Sequence, residues 1–508
     1  MRKNVLIVNA FFDEYRRMGG SPHRVPRSMG PIYLAGAFEP NRCEVRIHNE
    51  QYSGVLDDLD LIAWADMLVL TGVTTSYDRM RQLSAYARAL HTGVTVVAGG
   101  PPVRALPKLS ERYFDYVCLG DIEELRDIAA EAFGPEYAAA DMFPRYDLMN
   151  PSRLLGYVES SRNCNFRCEF CSLTGEGNRY LAYDLEFVRR QILATGKKHI
   201  VFIDNNFYGG KRQYFLDRVA LLRELKRDGR IEGWSALVTG DFFRNPENLQ
   251  LAKEAGCFAL FSGVESFDQD TLSSYNKRQN QLMPQIEMIS SCLDAGILFV
   301  YGIMLDPTAR HLDDLESEIR FILGTPEITL PSFFTLAIPL IGTPYFRDCF
   351  EQGLLLPGLR VRDLDGVTIT MRPLDPVDEV VTFARDLLNL RGRRRHLFTH
   401  AARFLARYRR SLGPMQLFAA GVGDALIATQ TTASGPTRLH FNRQRQTFLA
   451  GTEIPDPQYT PAMRLPERYR SYFEPTRIID AEGGLDEAVM ADLMDAPQAP
   501  IAASGAAE

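Results

Sequence analysis

The sequence lacks an uninterrupted run of about 20 apolar residues, the length that an α-helix needs to cross a bilayer. The opening segment MRKNVLIVNAFF is basic at its start, but its apolar run is short and is typical of a buried first strand. Excess charge is also small, because 57 Lys and Arg residues against 64 Asp and Glu residues give a net charge of −7. This balance argues against nucleic acid as the main partner.

Cysteine is scarce, with eight residues in a chain of 508. Five of them are scattered in mostly apolar surroundings, where simple burial explains them: Cys43, Cys118, Cys257, Cys292 and Cys349. No disulfide framework of a secreted domain is present. Together these absences predict a globular, multidomain protein of the reducing cytoplasm.

Short apolar runs alternate with helical patterns over the first 140 residues. The runs NVLIVNA, MLVLTGV, VTVVAGG and YVCLG have strand length, and each ends in glycine or a small polar residue. This alternation predicts a Rossmann-like parallel sheet covered on both faces, with a ligand at the carboxyl ends of its strands. No GxGxxG follows the first strand, so dinucleotide binding is disfavoured.

A linker is expected at 141–155, after which the alternation resumes. Six strand-like runs lie between 156 and 370 and predict a partial or full βα barrel: GYVESSRNC, KHIVFIDNN, WSALVTG, FALFSGVES, FVYGIMLD and FFTLAIPL. The fold class is therefore α/β, with a mainly helical C-terminal domain at 371–480 that we expect to cap the mouth of the barrel. Residues 481–508 are rich in Ala, Asp and Glu, and we expect them to be disordered.

The remaining cysteines, Cys164, Cys168 and Cys171, lie within eight positions directly after a predicted strand. Structural zinc needs four ligands, yet the next histidine is His199 and the next cysteine is Cys257. Three thiolates suit an iron–sulfur cluster that keeps one iron open. The spacing favours the cluster over a zinc site or a purely structural role.

The spacing C-x₃-C-x-Phe-C, with Phe170 as the aromatic residue, resembles the signature of the radical S-adenosylmethionine (SAM) superfamily. The resemblance implies that the three cysteines hold a [4Fe–4S] cluster and that SAM occupies the open iron. One-electron reduction then cleaves SAM into methionine and a 5′-deoxyadenosyl radical.

Later segments resemble the same family in order. IDNNFYGG is similar to the stretch that receives the SAM amino group, and FSGVESF is similar to a G-[IV]-E-S element that contacts its ribose and carboxylate. The SAM-binding residues implied by the resemblance are Phe170, Asp204, Asn205, Ser235, Glu265 and Ser266. PLIGTP departs from the family pattern at Ile341, and YGIMLDPT departs at Asp306, both on the side where substrate is expected.

A Rossmann-like domain before such a barrel resembles the cobalamin-binding class of the superfamily. RSMGPIYLAG, TGVTTSY, VVAGGPP and YVCLGDIEEL match segments of that class in order. The cobalamin-binding residues that this implies are Met29, Gly30, Thr74, Thr75, Ser76, Tyr77, Gly99, Gly100, Pro101 and Gly120. The D-x-H-x-x-G motif is absent, and Tyr77 is a candidate to lie beneath the cobalt.

The resemblance implies a cobalamin-dependent radical SAM methyltransferase that methylates an unactivated carbon of a small molecule through methylcobalamin. The alternative is cyclisation or rearrangement without methyl transfer. A one-electron donor such as a flavodoxin or ferredoxin is implied as a partner.

A hopanoid-type lipid, a tetrapyrrole and an antibiotic precursor are all substrate classes compatible with the resemblance. RGRRRHLFTHAARFLARYRR, at 391–410, is either a basic helix on an anionic membrane or, as we favour, a helix packed on the barrel with solvated arginines.

Overall fold

The computed structural model describes residues 2–12, 28–149, 152–177, 179–388, 394–421, 449–451 and 459–494. Parts of the arginine-rich segment (391–393), of the apolar run that follows it (422–430) and of the tail (495–508) lie outside the described residues.

Five parallel strands form the sheet of the first domain, in the order β2-β1-β3-β4-β5. Their bounds are β1 Lys3–Asn9, β2 Cys43–Asn49, β3 Met67–Thr71, β4 Thr95–Gly99 and β5 Tyr116–Cys118. This order is that of a doubly wound sheet, whose ligand crevice lies where the strand order reverses, between β1 and β3. The Rossmann-like prediction is confirmed, although sequence analysis missed β2, an edge strand whose polar residues interrupt its apolar pattern.

Both faces of this sheet are covered. Leu6 and Val8 belong to one hydrophobic cluster, whereas Val5 and Ile7 belong to another on the opposite face. Because neighbouring strand residues point to opposite faces, a strand that is buried on both sides is apolar throughout. The helices that flank the sheet are α1 Gly30–Ala35, α2 Glu50–Ser53, α3 Leu59–Trp64, α4 Tyr77–Leu90, α5 Pro101–Ala105, α6 Pro107–Ser110 and α7 Glu123–Phe133.

The second domain contains all six predicted barrel strands. Their bounds are β6 Leu155–Val158, β9 His199–Phe202, β10 Gly233–Leu237, β11 Cys257–Phe261, β12 Leu298–Val300 with β13 Gly302–Leu305, and β14 Phe333–Leu336. Parallel pairing runs β12-β11-β10-β9-β6, and β13 pairs with β14. Among the described residues no pairing joins β14 to β6, so the barrel is partial.

A small antiparallel pair, β7 Ser161–Arg162 and β8 Leu181–Ala182, encloses the cysteine segment. The helices of the second domain are α8 Ser172–Glu176, α9 Leu185–Thr195, α10 Arg212–Arg227, α11 Glu247–Glu254, α12 Gln269–Ser274, α13 Gln285–Asp294, α14 Leu312–Gly324 and α15 Pro344–Glu351.

Residues 394–421 of the C-terminal region do not cap the barrel mouth, so the expectation was wrong for this part. Three of its helices are α16 Val377–Leu388, α17 Arg394–Tyr408 and α18 Glu487–Met494, and residues 414–421 are also helical. His400 of α17 donates from Nε2 to the carbonyl of Ile328 at 3.1 Å, and Gln416 donates to the carbonyl of Phe258 at 2.8 Å. Both carbonyls precede or begin strands, so this part packs beneath the barrel, at the amino ends.

The packing of α17 is the arrangement that sequence analysis favoured. Leu397, His400 and Phe404 are buried against the barrel, whereas Phe398 and Arg403 are exposed. Among the described residues no helix combines the length and the apolar character needed to span a membrane.

The last described segment packs on the first domain. Thr476 donates its backbone N–H to Asp78 of α4 at 3.1 Å, and Asp492 of α18 accepts from the backbone N–H of Lys108 at 2.8 Å. Disorder was therefore the wrong expectation for 481–494, because Val489 is fully buried and Asp492 binds α6 across the interface. Sequence composition carries no information about such remote contacts.

Candidate functional site

The three clustered cysteines occupy the loop between β7 and α8. Cys164 follows Asn163, which has a positive φ of 62° and donates from Nδ2 to the carbonyl of Arg179 at 3.0 Å. Cys171 precedes the first residue of α8, and all three thiols are free. A tight left-handed residue and one long-range hydrogen bond thus fix where the loop starts.

The three thiols are close enough to one another to interact electrostatically. Burial, followed by the charges of Cys168 and Cys171, raises the pKa of Cys164 to about 11, although a backbone N–H partly opposes the rise. Burial also raises the pKa of Cys171, with a contribution from Cys168. Metal binding at these thiols therefore releases protons, since only thiolates are good ligands.

These donors fit a cubane cluster better than a single ion. Phe166 N–H points to Cys164 Sγ at 3.5 Å, and Gln279 Nε2 donates to Cys168 Sγ at 3.2 Å, contacts that stabilise thiolate charge. Over the described residues, no three His, Cys, Asp or Glu side chains converge on one ion position. In a cubane each thiolate binds a different iron, whereas zinc needs four ligands around one point, so the zinc alternative is disfavoured.

Phe170 and Glu265, both predicted to bind SAM, are brought together by a lysine that sequence analysis missed. Lys277 makes an ion pair with Glu265, and its Nζ lies 5.5 Å from the centroid of the Phe170 ring. The charge of Lys277 also acts on Cys171, lowering the pKa of that thiol against the effect of burial. Lys277 sits in the irregular stretch SYNKRQNQ, where no periodic pattern distinguishes a buried lysine from a solvated one.

The loop after β9 places two other predicted SAM residues differently. Asp204 is fully buried and accepts hydrogen bonds from Ser160 N at 2.6 Å and from Ser161 Oγ at 3.0 Å. Its neighbour Asn205 is exposed in the loop that follows β9. This placement gives Asp204 a structural role and leaves Asn205 available to a ligand.

The two serines predicted to bind SAM also differ in exposure. Ser235 of β10 is partly exposed on the side of the sheet that faces the barrel interior. Ser266 is fully buried, donates to Glu318 Oε1 at 2.8 Å and accepts from Asp268 N–H at 3.0 Å, so its hydroxyl is occupied within the protein.

Asp306, one of the two departures from the family pattern, also has its carboxylate engaged in hydrogen bonds within the protein. It accepts from Tyr275 Oη at 2.6 Å and from Tyr345 Oη at 2.8 Å, and the ring of Tyr275 packs edge-on against Phe170 at 5.5 Å. Asp306 therefore supports the cysteine loop from behind. The other departure, Ile341, is buried in a hydrophobic cluster.

The cobalamin candidates lie mostly at the carboxyl ends of β3, β4 and β5. Thr74 and Thr75 lie on a 3₁₀ turn and are partly exposed. Gly99, Gly100 and Pro101, between the end of β4 and the start of α5, are also partly exposed. Gly100 has a φ of 104°, and a Cβ there would lie 3.1 Å from the Gly72 carbonyl. Only glycine permits this approach of the two loops.

Apolar side chains flank these glycines. Val73 is 57% exposed and Leu119 is 48% exposed, on either side of the small-residue loops. Large exposed apolar side chains beside a glycine cradle fit a broad planar ring such as a corrin. Ser76, in contrast, is buried, and its hydroxyl has no hydrogen-bond partner among the described residues.

Tyr77 does not lie at this surface, so its predicted position beneath the cobalt was wrong. It is fully buried at the start of α4, its hydroxyl lies 3.0 Å from Ser110 Oγ, and its ring packs edge-on against Phe114 at 6.4 Å. Met29 is likewise buried, in a cluster with Met149, whereas Gly30 is exposed. Tyr77 is buried because it is the first residue of α4 and faces the sheet rather than the ligand surface.

The two cofactor regions meet at Arg104 of α5. Its guanidinium binds the carboxylate of Glu176 in α8 and the carbonyl of Gly120. A Cβ on Gly175 of α8 would lie 2.5 Å from the carbonyl of Gly342, so α8 also packs closely on the PLIGTP segment. The cobalamin loops and the cysteine loop are thus joined by direct contacts, a feature that sequence analysis did not predict.

Comparison with known proteins agrees with this architecture. A model of the Radical SAM superfamily matches residues 158–319, and a model of the B12 binding domain matches residues 25–129. The chain is 28% identical over 384 residues to the hopanoid C-2 methylase of Rhodopseudomonas palustris (strain TIE-1), covering 70% of this chain and 69% of that protein.

Two further similarities point the same way. The chain is 24% identical over 324 residues to the bacteriochlorophyllide d C-8(2)-methyltransferase of Chlorobaculum tepidum, covering 57% of this chain and 69% of that protein. A structure of the cobalamin-dependent SAM radical enzyme OxsB with aqua-cobalamin bound has a TM-score of 0.57 at 16% identity, over 88% of this chain and 76% of that one. The chain therefore belongs to the cobalamin-binding radical SAM superfamily, in its methyltransferase class, and its cofactors are a [4Fe–4S] cluster, SAM and cobalamin.

Proposed function

We propose that the enzyme methylates an unactivated carbon of an apolar, polycyclic small molecule of the hopanoid type. When bound, the cluster supplies the electron that cleaves SAM, and cobalamin supplies the methyl group. The observation that carries the proposal is the contact of Arg104 with both Glu176 and Gly120, because it holds the cobalamin loops against the cysteine loop.

Further support comes from the barrel interior. Phe261 of β11 and Phe333 of β14 stack with their ring centroids 6.3 Å apart, and Phe333 is 45% exposed. Leu237 of β10 is partly exposed on the same side of the sheet. These side chains give the interior an apolar lining, which suits a hydrocarbon substrate better than a highly charged one. The named relative at 28% identity acts on a hopanoid, which agrees with this choice.

The protein's own residues have few acid–base tasks in this chemistry. Gln279 and the backbone N–H of Phe166 stabilise the thiolate charge by hydrogen bonds. Lys277 places its ammonium group between Glu265 and the cysteine loop. Asn205, Ser235 and the Thr74–Thr75 turn are our candidates for contacts with SAM and cobalamin. Positioning and exclusion of water are the main contributions of the chain.

An anaerobic assay tests the proposal. Protein reconstituted with iron, sulfide and hydroxocobalamin is incubated with SAM, a reductant and a pentacyclic triterpenoid hydrocarbon. We expect 5′-deoxyadenosine and S-adenosylhomocysteine to accumulate together with a methylated triterpenoid. 5′-Deoxyadenosine without S-adenosylhomocysteine, for every substrate tested, would favour cyclisation or rearrangement. Turnover of a tetrapyrrole but not of a triterpenoid would overturn the substrate class and leave the reaction type intact.

We also propose a peripheral contact of α17 with an anionic membrane. Its exposed face carries Phe398 and Leu405, and the exposed Arg395 and Arg409 lie three residues before and four residues after this pair, a combination that favours an interfacial position. Flotation with vesicles of 30% phosphatidylglycerol in phosphatidylcholine tests this contact, and we expect Phe398→Ser to abolish flotation. The double variant Arg153→Gln/Leu154→Ser, at another exposed basic and apolar pair, is the control. Equal flotation of both variants would rule the contact out.

A further inference from the structure

The surface around the cysteine loop carries four exposed basic residues. Arg167 lies within the loop, between Cys164 and Cys168, and three others lie on separate segments that contact the loop: Arg179, Lys211 and Arg278. They come from positions spread over 112 residues of sequence and are gathered only by the fold.

Specific contacts hold each segment in place. Asn163 donates from Nδ2 to the carbonyl of Arg179 at 3.0 Å, and Asn276, two residues before Arg278, donates to the carbonyl of Arg167 at 3.3 Å. A Cβ on Gly210, next to Lys211, would lie 2.7 Å from Asn165 of the loop. The basic residues therefore keep fixed positions relative to the thiols.

None of these four side chains forms an ion pair within the described part of the chain. The acidic groups nearby are engaged or half-buried. Glu176 is paired with Arg104, Asp241 is half-buried and accepts from Thr239, and Glu169 is half-buried within the loop. The chain as a whole has a net charge of −7, whereas the exposed charged side chains of this surface are mainly basic.

We propose that this basic surface is the docking site of an acidic protein that carries single electrons. The cluster bound at Cys164, Cys168 and Cys171 gains one electron per encounter, the donor loses one, and no atom or proton has to cross the interface. Opposite charges raise the encounter rate by about 10- to 1,000-fold at low salt and orient the donor toward the loop. The inference rests on the cluster and is independent of which substrate is methylated.

The test compares the triple variant Arg179→Gln/Lys211→Gln/Arg278→Gln with a control triple variant, Arg227→Gln/Arg320→Gln/Arg470→Gln. The control residues are arginines whose side chains are 74–76% exposed, and they lie on other surfaces. The holoenzyme is mixed with reduced flavodoxin as the acidic probe. Two quantities are measured at 50 and 500 mM salt: the Kd of the complex, and the rate of cluster reduction followed by electron paramagnetic resonance.

We expect the triple variant to bind flavodoxin and to be reduced by it about 10-fold less well at 50 mM salt, with the difference nearly gone at 500 mM. The control variant should match the native chain. Reduced methyl viologen, a small cation, should reduce all three proteins at similar rates, which separates loss of docking from damage to the cluster.

Equal flavodoxin affinity and rate in both triple variants would overturn the proposal. Slower reduction by methyl viologen in the basic-surface variant would also count against it, because the residues would then support the cluster itself. Lys211→Gln alone, a change outside the cysteine loop, must reproduce a weaker flavodoxin defect for the proposal to stand. Competition of flavodoxin binding by a short RNA with higher affinity would assign the surface to a nucleic acid. Failure of methyl transfer in the native chain would leave all these readouts unaffected.

Discussion

The ion pair between Lys277 and Glu265 allows a quantitative test of how the SAM end of the barrel is built. The side chain of Lys277 is 8% exposed and that of Glu265 is 18% exposed, so both charges have lost most of their water. Two unit charges about 4 Å apart attract by about 4 kcal/mol at an effective dielectric of 20, before desolvation is subtracted. Breaking a buried pair from one side costs about 3–5 kcal/mol. Because Glu265 keeps some exposure, we expect about 2–3 kcal/mol for Lys277→Met.

The perturbation is a double-mutant cycle of Lys277→Met, Glu265→Gln and the double variant. Glutamine keeps the shape of glutamate and meets the same backbone cost at the positive φ of 62°, so the cycle isolates the charge. In a cooperative unit of 150–250 residues, 1 kcal/mol shifts the melting temperature by about 2–4 °C. Lys277→Met should therefore lower the melting temperature of the complete chain by about 4–12 °C.

The double variant should recover at least half of this loss, because no unpaired charge remains buried. The same proteins are assayed for SAM affinity by equilibrium dialysis, where we expect all three variants to be weaker than the native chain. Strict additivity of the two single changes in melting temperature would refute the reasoning, since independent residues show no coupling.

Three further predictions concern the cluster, the cobalamin loops and the base of the barrel. Gln279→Leu removes a hydrogen bond to Cys168 Sγ worth about 1 kcal/mol, so a potentiometric titration should show the cluster potential falling by on the order of 40 mV. Gly100→Ala should weaken cobalamin binding in a spectral titration, because its φ of 104° strains alanine, whereas Tyr77→Phe should leave it unchanged; the reverse order would contradict the assigned surface. Burial lowers the pKa of His400, so the neutral form is favoured in the fold and stability is lost as pH falls below about 6.5. His400→Gln should therefore lose less melting temperature between pH 7.5 and 5.5 than the native chain.

Much of the fold could be predicted because its determinants are local. The strands of both domains are short apolar runs that end in small residues, and six of six barrel strands appear where these runs occur. β2 was missed because its polar and apolar residues alternate, so it lacks the continuous apolar run that marks the other strands of the sheet. The cysteine loop was predictable for the same local reason, because its three thiols lie within eight residues.

Other residues could not be assigned from sequence. Lys277 and Gln279 reach Glu265 and Cys168 from a polar stretch over 100 residues after the cysteines. Asp204 and Asn205 are adjacent in a motif, yet hydrogen bonds from Ser160 and Ser161 bury Asp204, whereas Asn205 is exposed in the same loop. Tyr77 matched a segment of the family but faces the sheet rather than the ligand surface.

The sequence by itself determined the cofactor chemistry, because each cofactor motif is local. The three cysteines lie within eight residues, and the glycines directly follow their strands. Only the tertiary structure decided that α17 lies beneath the barrel, that α18 packs on α6, and that Arg104 joins the two cofactor regions. The physical reason is that these outcomes depend on contacts between segments far apart in the chain. Such contacts form only when the domains pack, and no periodicity or composition records them.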